Sequence, residues 1–337
     1  MKRLLQVVVV ILLLAVPGTA GEQFWAVYFT TPHLGKAHAA KEHPETVLKN
    51  MIDRSSGEIL GAFYELSSPV IIASLVNAHK RGVDVKMVID TDNMHEKEFR
   101  EIISAGIPVV DDQRSGIMHN KFCIIDGDTV WTGSYNLTKN GGFRNNNNAI
   151  VVYSKELADI FRAEFFEMFT HRVFGNRKEY MPLPFLSNKY YVAIQGTSIN
   201  AYFSPDDNIE RIIIKRLRKA KKNIHFMAFS FTSDGIGEEI IRAHKRGVLV
   251  KGIFEKRGTG TRYSEFVKMK LEGVPVVRDK NPYAMHHKVI IIDEKIVITG
   301  SYNYSKSASK KNDENILIID NKEIAIKYVK EFKRLYR

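Results

Sequence analysis

The sequence contains almost no cysteine. Cys123 is the only one among 337 residues, so an internal disulfide is impossible, and the chain is not one of the small secreted domains that disulfides stabilise. Hydrophobic residues make up 44% of the chain, and buried cores must provide the stability instead. We expect Cys123, on a predicted strand, to be a small buried side chain rather than a reactive thiol.

The apolar run at the N-terminus is too short to span a bilayer comfortably. It follows a basic head and extends over 13 residues, from Leu4 to Val16, whereas a spanning helix needs about 20 apolar residues. A basic head, a short apolar body and small residues up to Ala20 are typical of a secretory signal peptide. We predict cleavage after residues 1–20 and a secreted or periplasmic protein; the alternative is an uncleaved N-terminal membrane anchor.

Acidic residues are fewer than basic residues in this chain. The chain has 38 Asp and Glu against 50 Lys and Arg, which gives a formal net charge of +12. This surplus favours a polyanionic partner, either nucleic acid or an anionic lipid surface with peripheral membrane contact, and does not distinguish between them. Part of it, such as the basic run over 215–222, is interpreted as the solvated face of a helix.

One pattern, His-x-Lys-x4-Asp-x6-Gly-Ser-x-Asn, occurs twice, over 119–136 and over 286–303. Each residue of the second copy lies 167 positions after its partner. Agreement at six positions in unbroken register is not a chance event. The first copy is His119, Lys121, Asp126, Gly133, Ser134 and Asn136, and the second is His286, Lys288, Asp293, Gly300, Ser301 and Asn303.

The duplication extends beyond the motif, so the repeated unit is a domain. The sequence AHKRGV at 78–83 returns at 243–248, and GIPVV at 106–110 returns as GVPVV at 273–277. Two domains also suit the length of the chain. We predict a first domain over 22–175, a linker over 176–195 and a second domain over 196–337.

Strands and helices alternate in each half. Apolar strands are predicted at 59–63 and 224–231, and each leads into a helix that ends at basic residues and a glycine. This order predicts an α/β fold of two similar αβα-sandwich halves with mostly parallel or mixed sheets. Residues two apart on a strand share a face, so each motif histidine projects together with its lysine.

The duplicated residues suit cleavage of a phosphodiester without a metal. That reaction needs a nucleophile, an acid for the leaving oxygen, and cations for the non-bridging oxygens. Two copies facing each other across a pseudo-twofold axis provide all three in one shared site. A metal centre is disfavoured because protonated lysine cannot be a ligand, and we predict no cofactor. The predicted catalytic residues are His119, Lys121, Asn136, His286, Lys288 and Asn303.

These two motifs resemble the paired HKD motifs of the phospholipase D superfamily, and the repeat covers nearly all of the chain after residue 20. The resemblance implies a bilobal α/β fold, one active site between the halves, and a two-step reaction through a phosphohistidine. The superfamily includes phospholipases, phosphatidyl transferases and metal-independent nucleases, so the motif does not choose the substrate.

An acidic residue is present after only one motif. Glu314 lies where the first half has Asn147, 167 positions earlier. If Glu314 reaches across to the opposite histidine, it orients His119 as the nucleophile and leaves His286 as the acid; a same-side contact reverses this assignment.

The remaining motif residues are predicted to support the catalytic ones from a second layer. Asp126 and Asp293 precede turns and are expected to accept structural hydrogen bonds rather than to transfer protons. Gly133 and Gly300 are expected to let the backbone approach the phosphate. The predicted supporting residues are Asp126, Ser134, Asp293, Ser301 and Glu314.

Three functions remain open at this point. The leading hypothesis is a phospholipase D-type phosphodiesterase that hydrolyses or transfers phospholipid head groups, anionic or zwitterionic, with a monomer sufficient for one active site. The first alternative is a secreted or periplasmic nuclease with the same mechanism. The second alternative is a non-catalytic protein that binds polyanions.

Overall fold

The computed structural model describes residues 23–32, 41–94, 96–175 and 190–336. The predicted signal peptide and most of the predicted linker lie outside these ranges. Among the residues described, none of the helices has the length and apolar character needed to cross a membrane.

The first half consists of eight strands and five α-helices in the described ranges. Its strands are β1 (Trp25–Phe29), β2 (Glu58–Phe63), β3 (Asp84–Ile89), β4 (Val109–Asp111), β5 (Lys121–Ile125), β6 (Thr129–Gly133), β7 (Asn145–Asn146) and β8 (Asn148–Tyr153). Its helices are α1 (Pro44–Arg54), α2 (Pro69–Lys80), α3 (Phe99–Ser104), α4 (Lys139–Phe143) and α5 (Lys155–Phe169).

The second half largely repeats this order after one additional strand at its start. Its strands are β9 (Tyr191–Ile194), β10 (Thr197–Ser204), β11 (Asn223–Ala228), β12 (Leu249–Phe254), β13 (Val276–Arg278), β14 (Ala284–Met285), β15 (Lys288–Ile292), β16 (Ile296–Gly300) and β17 (Glu314–Asp320). Its helices are α6 (Ile209–Leu217), α7 (Asp234–Lys245), α8 (Glu265–Leu271), α9 (Lys306–Lys310) and α10 (Lys322–Leu335).

Each half has one mixed sheet, which confirms the predicted fold class. The strand order is β1-β8-β6-β5-β2-β3-β4 in the first sheet and β13-β12-β11-β15-β16-β17-β10-β9 in the second. In both sheets the three strands that alternate with helices are parallel, and the motif hairpin joins them antiparallel. The strand β11 ends at Ala228, earlier than predicted, because the chain leaves the sheet and Phe231 bridges to Tyr304.

The second sheet also begins before the predicted boundary at residue 196. The strand β9 lies in the range predicted as a linker, and it pairs with β10, with Thr197 opposite Ile194. A hairpin gives these residues backbone partners that an isolated linker would lack.

The helices α5 and α10 lie between the two sheets. Phe161 and Phe165 from α5 and Tyr328 and Phe332 from α10 belong to one buried cluster that includes residues of both sheets. The remaining helices cover the outer faces, where Cys123 is buried as predicted. One continuous core therefore holds the halves in a fixed relation, which a site shared between them requires.

The serine caps and the glycines after the last turn explain why the duplicated helices α2 and α7 begin and end at equivalent positions of the repeat. The Oγ atoms of Ser68 and Ser233 accept hydrogen bonds from the backbone N–H of the third residue of each helix, Ile71 and Ile236. The helices end before glycines with φ of 91° and 87°, as the AHKRG segments predicted.

The aspartate of each motif forms the turn of the motif hairpin. Asp126 and Asp293 have φ of 50° and 55°, and each carboxylate accepts backbone hydrogen bonds from the segment before the neighbouring strand. The donors to Asp126 include Gly57 N at 2.7 Å, and those to Asp293 include Lys222 N at 2.6 Å. The aspartates therefore accept structural hydrogen bonds at the turn, as we expected. They lie at the end of the strand away from the histidines, however, and not in the layer behind them.

The glycine of each motif packs against the neighbouring strand. A Cβ atom on Gly133 would lie 2.3 Å from Asn148 O, and one on Gly300 would lie 2.2 Å from Asn315 O. Both glycines have φ of 153°, a conformation that other residues rarely adopt. The close approach that requires glycine is thus to β8 and β17, and not to a phosphate as we expected.

We expect Gly133→Ala to lower the free energy of unfolding by about 1–3 kcal/mol, because the added methyl group overlaps a backbone carbonyl. Urea denaturation monitored by circular dichroism measures the change. Gly260→Ala is the matched control, since no heavy atom lies within 4 Å of its added Cβ. Equal stability of the two variants would contradict the packing explanation.

We expect Asp126→Ala to destabilise the fold by about 1–3 kcal/mol while leaving the activity per folded molecule unchanged, because its partners are backbone amides of the segment that leads into β2. Denaturation midpoints and active-site titration together separate the two effects. A fully folded variant that lost turnover would show that Asp126 has a catalytic role.

Candidate active site

The two halves meet at their motif histidines through backbone hydrogen bonds. His119 N donates to Asp313 O at 2.9 Å, and His286 N donates to Asn146 O at 2.8 Å. Beside His286, β14 pairs in parallel with β7. Each histidine is therefore hydrogen-bonded to the opposite half, at the residue that immediately precedes Glu314 or Asn147.

Glu314 reaches across the interface to His119. The distance from Glu314 Oε2 to His119 Nδ1 is 2.6 Å, and the carboxylate is fully buried. Ser301 Oγ donates to the same oxygen at 2.8 Å, and Asn312 Nδ2 donates to Oε1 at 3.2 Å. The carboxylate is thus held on three sides and has one remaining function, to orient the imidazole.

Asn147 makes the equivalent contact with His286, through a neutral amide. Asn147 Oδ1 lies 2.9 Å from His286 Nδ1 and accepts a hydrogen bond from Ser134 Oγ at 2.9 Å. Asn147 Nδ2 donates to Gly141 O at 2.9 Å, which fixes the amide orientation. The interface is therefore symmetric in geometry and asymmetric in charge.

Both imidazoles face acceptors with Nδ1, so this nitrogen carries the hydrogen and Nε2 is left for chemistry. Burial and the charges of Lys121 and Lys288 lower the pKa of both histidines well below the usual range. Burial raises the pKa of Glu314 to about 8. Glu314 Oε2 and His119 Nδ1 are joined directly at 2.6 Å, so the protonation of one group is linked to that of the other.

Two buried lysines complete the centre. Lys121 Nζ and Lys288 Nζ donate to the carbonyls of His119 and His286 at 2.8 and 2.9 Å. Burial lowers the pKa of Lys121 to about 8, and burial with the charge of Lys121 lowers the pKa of Lys288 well below its usual range. Burying two neighbouring cations costs free energy unless an anion lies beside them, so this centre is suited to bind an anion.

An aromatic ring flanks each histidine–lysine pair, and the sequence reasoning missed both. Tyr64 lies 4.9 Å from the His119 ring and Phe229 lies 4.4 Å from the His286 ring, centroid to centroid. The two lysine Nζ atoms lie 5.1 and 4.7 Å from the same rings. The rings occupy positions 165 apart, an offset already present in the AHKRGV repeat, which could have revealed them.

The motif asparagines and serines have different environments, and the catalytic role predicted for the asparagines stays a prediction. Asn136 Nδ2 donates to Glu65 Oε2 at 2.8 Å. The Oδ1 atoms of Asn136 and Asn303 are buried and have no hydrogen-bond partner in the described residues. Ser134 and Ser301 hold the residues behind the histidines, and so are not phosphate donors.

A further polar chain behind His286 was not predicted. Asn148 Nδ2 contacts Ser134 Oγ at 3.2 Å and His287 Nδ1 at 3.0 Å, and His287 Nε2 contacts Glu331 at 3.2 Å. This chain crosses from the first half to the second. It links the support of His286 to the central helix α10.

Metal ligands are not grouped anywhere in the described ranges: no three His, Cys, Asp or Glu side chains there are placed to hold an ion. The positive charge of the centre belongs to the lysines. A nucleophilic imidazole, a second imidazole and two cations together can attack a phosphorus atom, protonate a leaving oxygen and neutralise the transition state.

Comparison with known proteins agrees with this chemistry. The family described as cardiolipin synthase, PLD-like domain, matches residues 48–169 and 213–336, one match in each half. A phospholipase D of Rickettsia typhi is 30% identical over 159 residues, which are 47% of this chain and 78% of that protein. A mitochondrial cardiolipin hydrolase of Xenopus tropicalis is 32% identical over 132 residues, 39% of this chain and 62% of that protein.

A solved structure extends the likeness of fold to both halves. Phosphatidylserine synthase of Haemophilus influenzae Rd KW20 superposes with a TM-score of 0.67 at 12% identity, over 91% of this chain and 86% of that one. The two family matches and the shared centre between the halves lead to one conclusion: the chain belongs to the phospholipase D-like family and is a phosphodiesterase of the phospholipase D type.

Proposed function

We propose that the protein cleaves phosphodiesters through a phosphohistidine on His119, with His286 as the general acid and then the general base. The observation that carries this proposal is the difference between Glu314 and Asn147 at otherwise equivalent positions. A phosphorylated imidazole is cationic, and a carboxylate on its Nδ1 stabilises it more than a neutral amide does. His119 is therefore the better nucleophile.

In the first step His119 Nε2 attacks phosphorus and the bond to the leaving alcohol breaks. The leaving oxygen takes a proton from His286 Nε2. His286 must be protonated for this, although the lysine charges lower its pKa in the free protein. The anionic diester offsets those charges when it binds, so we expect His286 to gain its proton as the substrate enters.

In the second step the roles reverse at the same atoms. His286, now neutral, takes a proton from water at Nε2, and the hydroxyl oxygen attacks phosphorus. The bond from phosphorus to His119 Nε2 breaks, and Glu314 again holds the neutral imidazole through Nδ1. An alcohol in place of water gives transfer instead of hydrolysis, so the same centre supports both outcomes.

As the substrate we propose a phospholipid head-group ester. The support is the similarity to proteins named phospholipase D and mitochondrial cardiolipin hydrolase. A peripheral contact of the basic surface with an anionic membrane would bring the site to this substrate. We also propose that the protein is exported through the signal peptide at 1–20, because that segment has the charge and length of one.

A nuclease activity is the second candidate, and the net charge of +12 suits it as well as it suits an anionic lipid surface. A basic protein gains affinity for a nucleic-acid backbone through counterion release, and the centre described above would accept either kind of diester.

We expect the two histidine variants to fail differently on a nitrophenyl phosphodiester, whose leaving group needs no proton. His286→Ala should release nitrophenol and accumulate a phosphorylated protein, because it lacks the base for the second step. His119→Ala should give neither product nor adduct. On an unactivated diester, loss of His286 should slow the reaction by about 10²–10⁴-fold.

Intact-mass spectrometry after rapid quenching, followed by peptide mapping, locates the adduct. Glu314→Gln is the control for the asymmetry, because it places a neutral amide beside Nδ1 of both histidines. This variant should reduce adduct formation on His119. An adduct on His286 in the His119→Ala protein, with no adduct on His119 in the unmodified protein or in His286→Ala, would reverse the roles.

We expect the purified protein to hydrolyse phospholipid vesicles in EDTA, because lysines and histidines supply the charge and proton transfer. The assay compares phospholipids with single- and double-stranded nucleic acids at several salt concentrations. Faster cleavage of nucleic acid at physiological salt, with a steep loss as salt rises, would replace the lipid by the nuclease candidate. Activity that required added Mg²⁺ would contradict the mechanism itself.

A further inference from the structure

A polar groove of about 520 Å³ opens beside His286. His286, Phe229 and Asn136 belong to its lining, and so do Arg144 and Tyr283. The groove therefore continues from the histidine that protonates the leaving group. A group bound in the groove therefore belongs to the alcohol that is released in the first step.

Arg144 and Tyr283 form a wall of this groove. The Arg144 guanidinium carbon lies 5.0 Å from the centre of the Tyr283 ring, and Nη1 donates to Asn140 Oδ1 at 3.1 Å. Tyr283 is 47% exposed. Both contacts of Arg144 are with neutral groups, so its positive charge and remaining donors are available to an anion.

The other cation that lines the groove, Arg257, already has an ion-pair partner, and two acidic side chains, Glu65 and Glu96, also line the groove. Glu65 accepts the hydrogen bond from Asn136, and Arg257 Nε donates to Glu255 Oε1 at 2.6 Å. Glu96 is exposed to solvent, where its charge is screened. Arg144 is thus the side chain best placed to recognise a negative group in this groove.

The duplication supplies an internal comparison for the two flanks of the site. The residues at the offset of 167 from Arg144 and Tyr283 are Lys311 and Gly116, and the residue 165 before Arg257 is Asp92. The equivalent positions on the flank of His119 therefore carry a lysine and a glycine in place of the arginine and the ring, and the cationic side chains there are Arg114 and Arg172 beside Lys311. The two flanks do not offer the same surface, so a diester is expected to bind in one orientation.

We propose that this groove is the subsite of the leaving alcohol, and that this alcohol carries a phosphate that Arg144 binds. The inference rests on the proposed roles of His119 and His286, because only then does the groove lie on the leaving side. A second phosphate is present both in a diphosphate lipid head group and in the next nucleotide of a strand. The chemistry recognised is the same in each case.

The same groove receives an acceptor alcohol when the adduct is transferred. The acceptor oxygen forms a bond to phosphorus as the bond to His119 Nε2 breaks, and the acceptor proton passes to His286 Nε2. This is the reverse of alcohol release, so the contacts of the groove act equally on departure and on capture. Capture by added alcohols therefore reports the preference of the groove directly.

The test uses the full chain and bis(p-nitrophenyl) phosphate, which forms the adduct and releases nitrophenol. Two pairs of acceptors are added at equal concentrations: glycerol with glycerol 3-phosphate, and thymidine with thymidine 5′-phosphate. Mass spectrometry gives the ratio of new diester to hydrolysis product. We expect one phosphorylated acceptor to be captured about tenfold better than its uncharged parent, as a charge-assisted hydrogen bond would produce.

The variants assign this preference to the groove. Arg144→Ala should remove the preference for the phosphorylated acceptor, whereas Lys311→Ala, at the equivalent position of the other flank, should keep it. A preference for glycerol 3-phosphate identifies a lipid source, and one for thymidine 5′-phosphate identifies a nucleic acid. If water alone captures the adduct, inhibition of nitrophenol release by the same four alcohols gives the ranking.

Two results would overturn the proposal. One is equal capture, or equal inhibition, by charged and uncharged acceptors in the unmodified protein. The other is a preference that survives Arg144→Ala and disappears in Lys311→Ala. Failure of the underlying mechanism looks different, since the unmodified protein would then release no nitrophenol or form its adduct elsewhere than on His119.

Discussion

The backbone pairing between the halves at the motif histidines is the contact on which the active site depends. The hydrogen bonds from His119 N to Asp313 O and from His286 N to Asn146 O set the register of one half against the other. The next residue of each opposing strand, Glu314 or Asn147, is then placed against the imidazole. A change of one residue in this register would turn those side chains to the other face of the strand.

The energetic difficulty of the centre is its buried positive charge. Lys121 and Lys288 are almost inaccessible. The charge of Lys121 lowers the pKa of Lys288, and both lysines lower the pKa of the two histidines. Buried charges of one sign are tolerated when neighbours or a ligand offset them. Glu314 offsets part of the charge in the free protein, and a phosphate diester would offset the rest. Binding and activation of the acid are thereby coupled.

The duplicated fold gives two copies of every group, and divergence between the copies assigns their roles. Glu314 differs from Asn147 behind the histidines, and Arg144 and Tyr283 differ from Lys311 and Gly116 along the flanks. Both differences concern residues outside the repeated motif. In the mechanism that we propose, a symmetric pair of motifs thus becomes a site in which nucleophile, acid and leaving group have distinct places.

The sequence alone determined the duplication, the α/β class and the histidine–lysine pairs, because these follow from local spacing and from the period of a strand. It also indicated that Glu314 is the asymmetric residue. It correctly placed Asp126 before a turn, accepting structural hydrogen bonds, but wrongly in the layer behind the histidines, and it assigned Gly133 to the phosphate. A motif shows which residues recur together and not which groups they contact. Tertiary structure decided that Glu314 crosses to His119, that the aspartates close hairpins, and that a polar groove opens beside His286. Those features arise from contacts between segments far apart in the chain, 69 residues apart for Gly57 and Asp126 and 195 for His119 and Glu314, and such contacts have no signature in local sequence. The packing of the two sheets on α5 and α10 sets the relative placement of the halves.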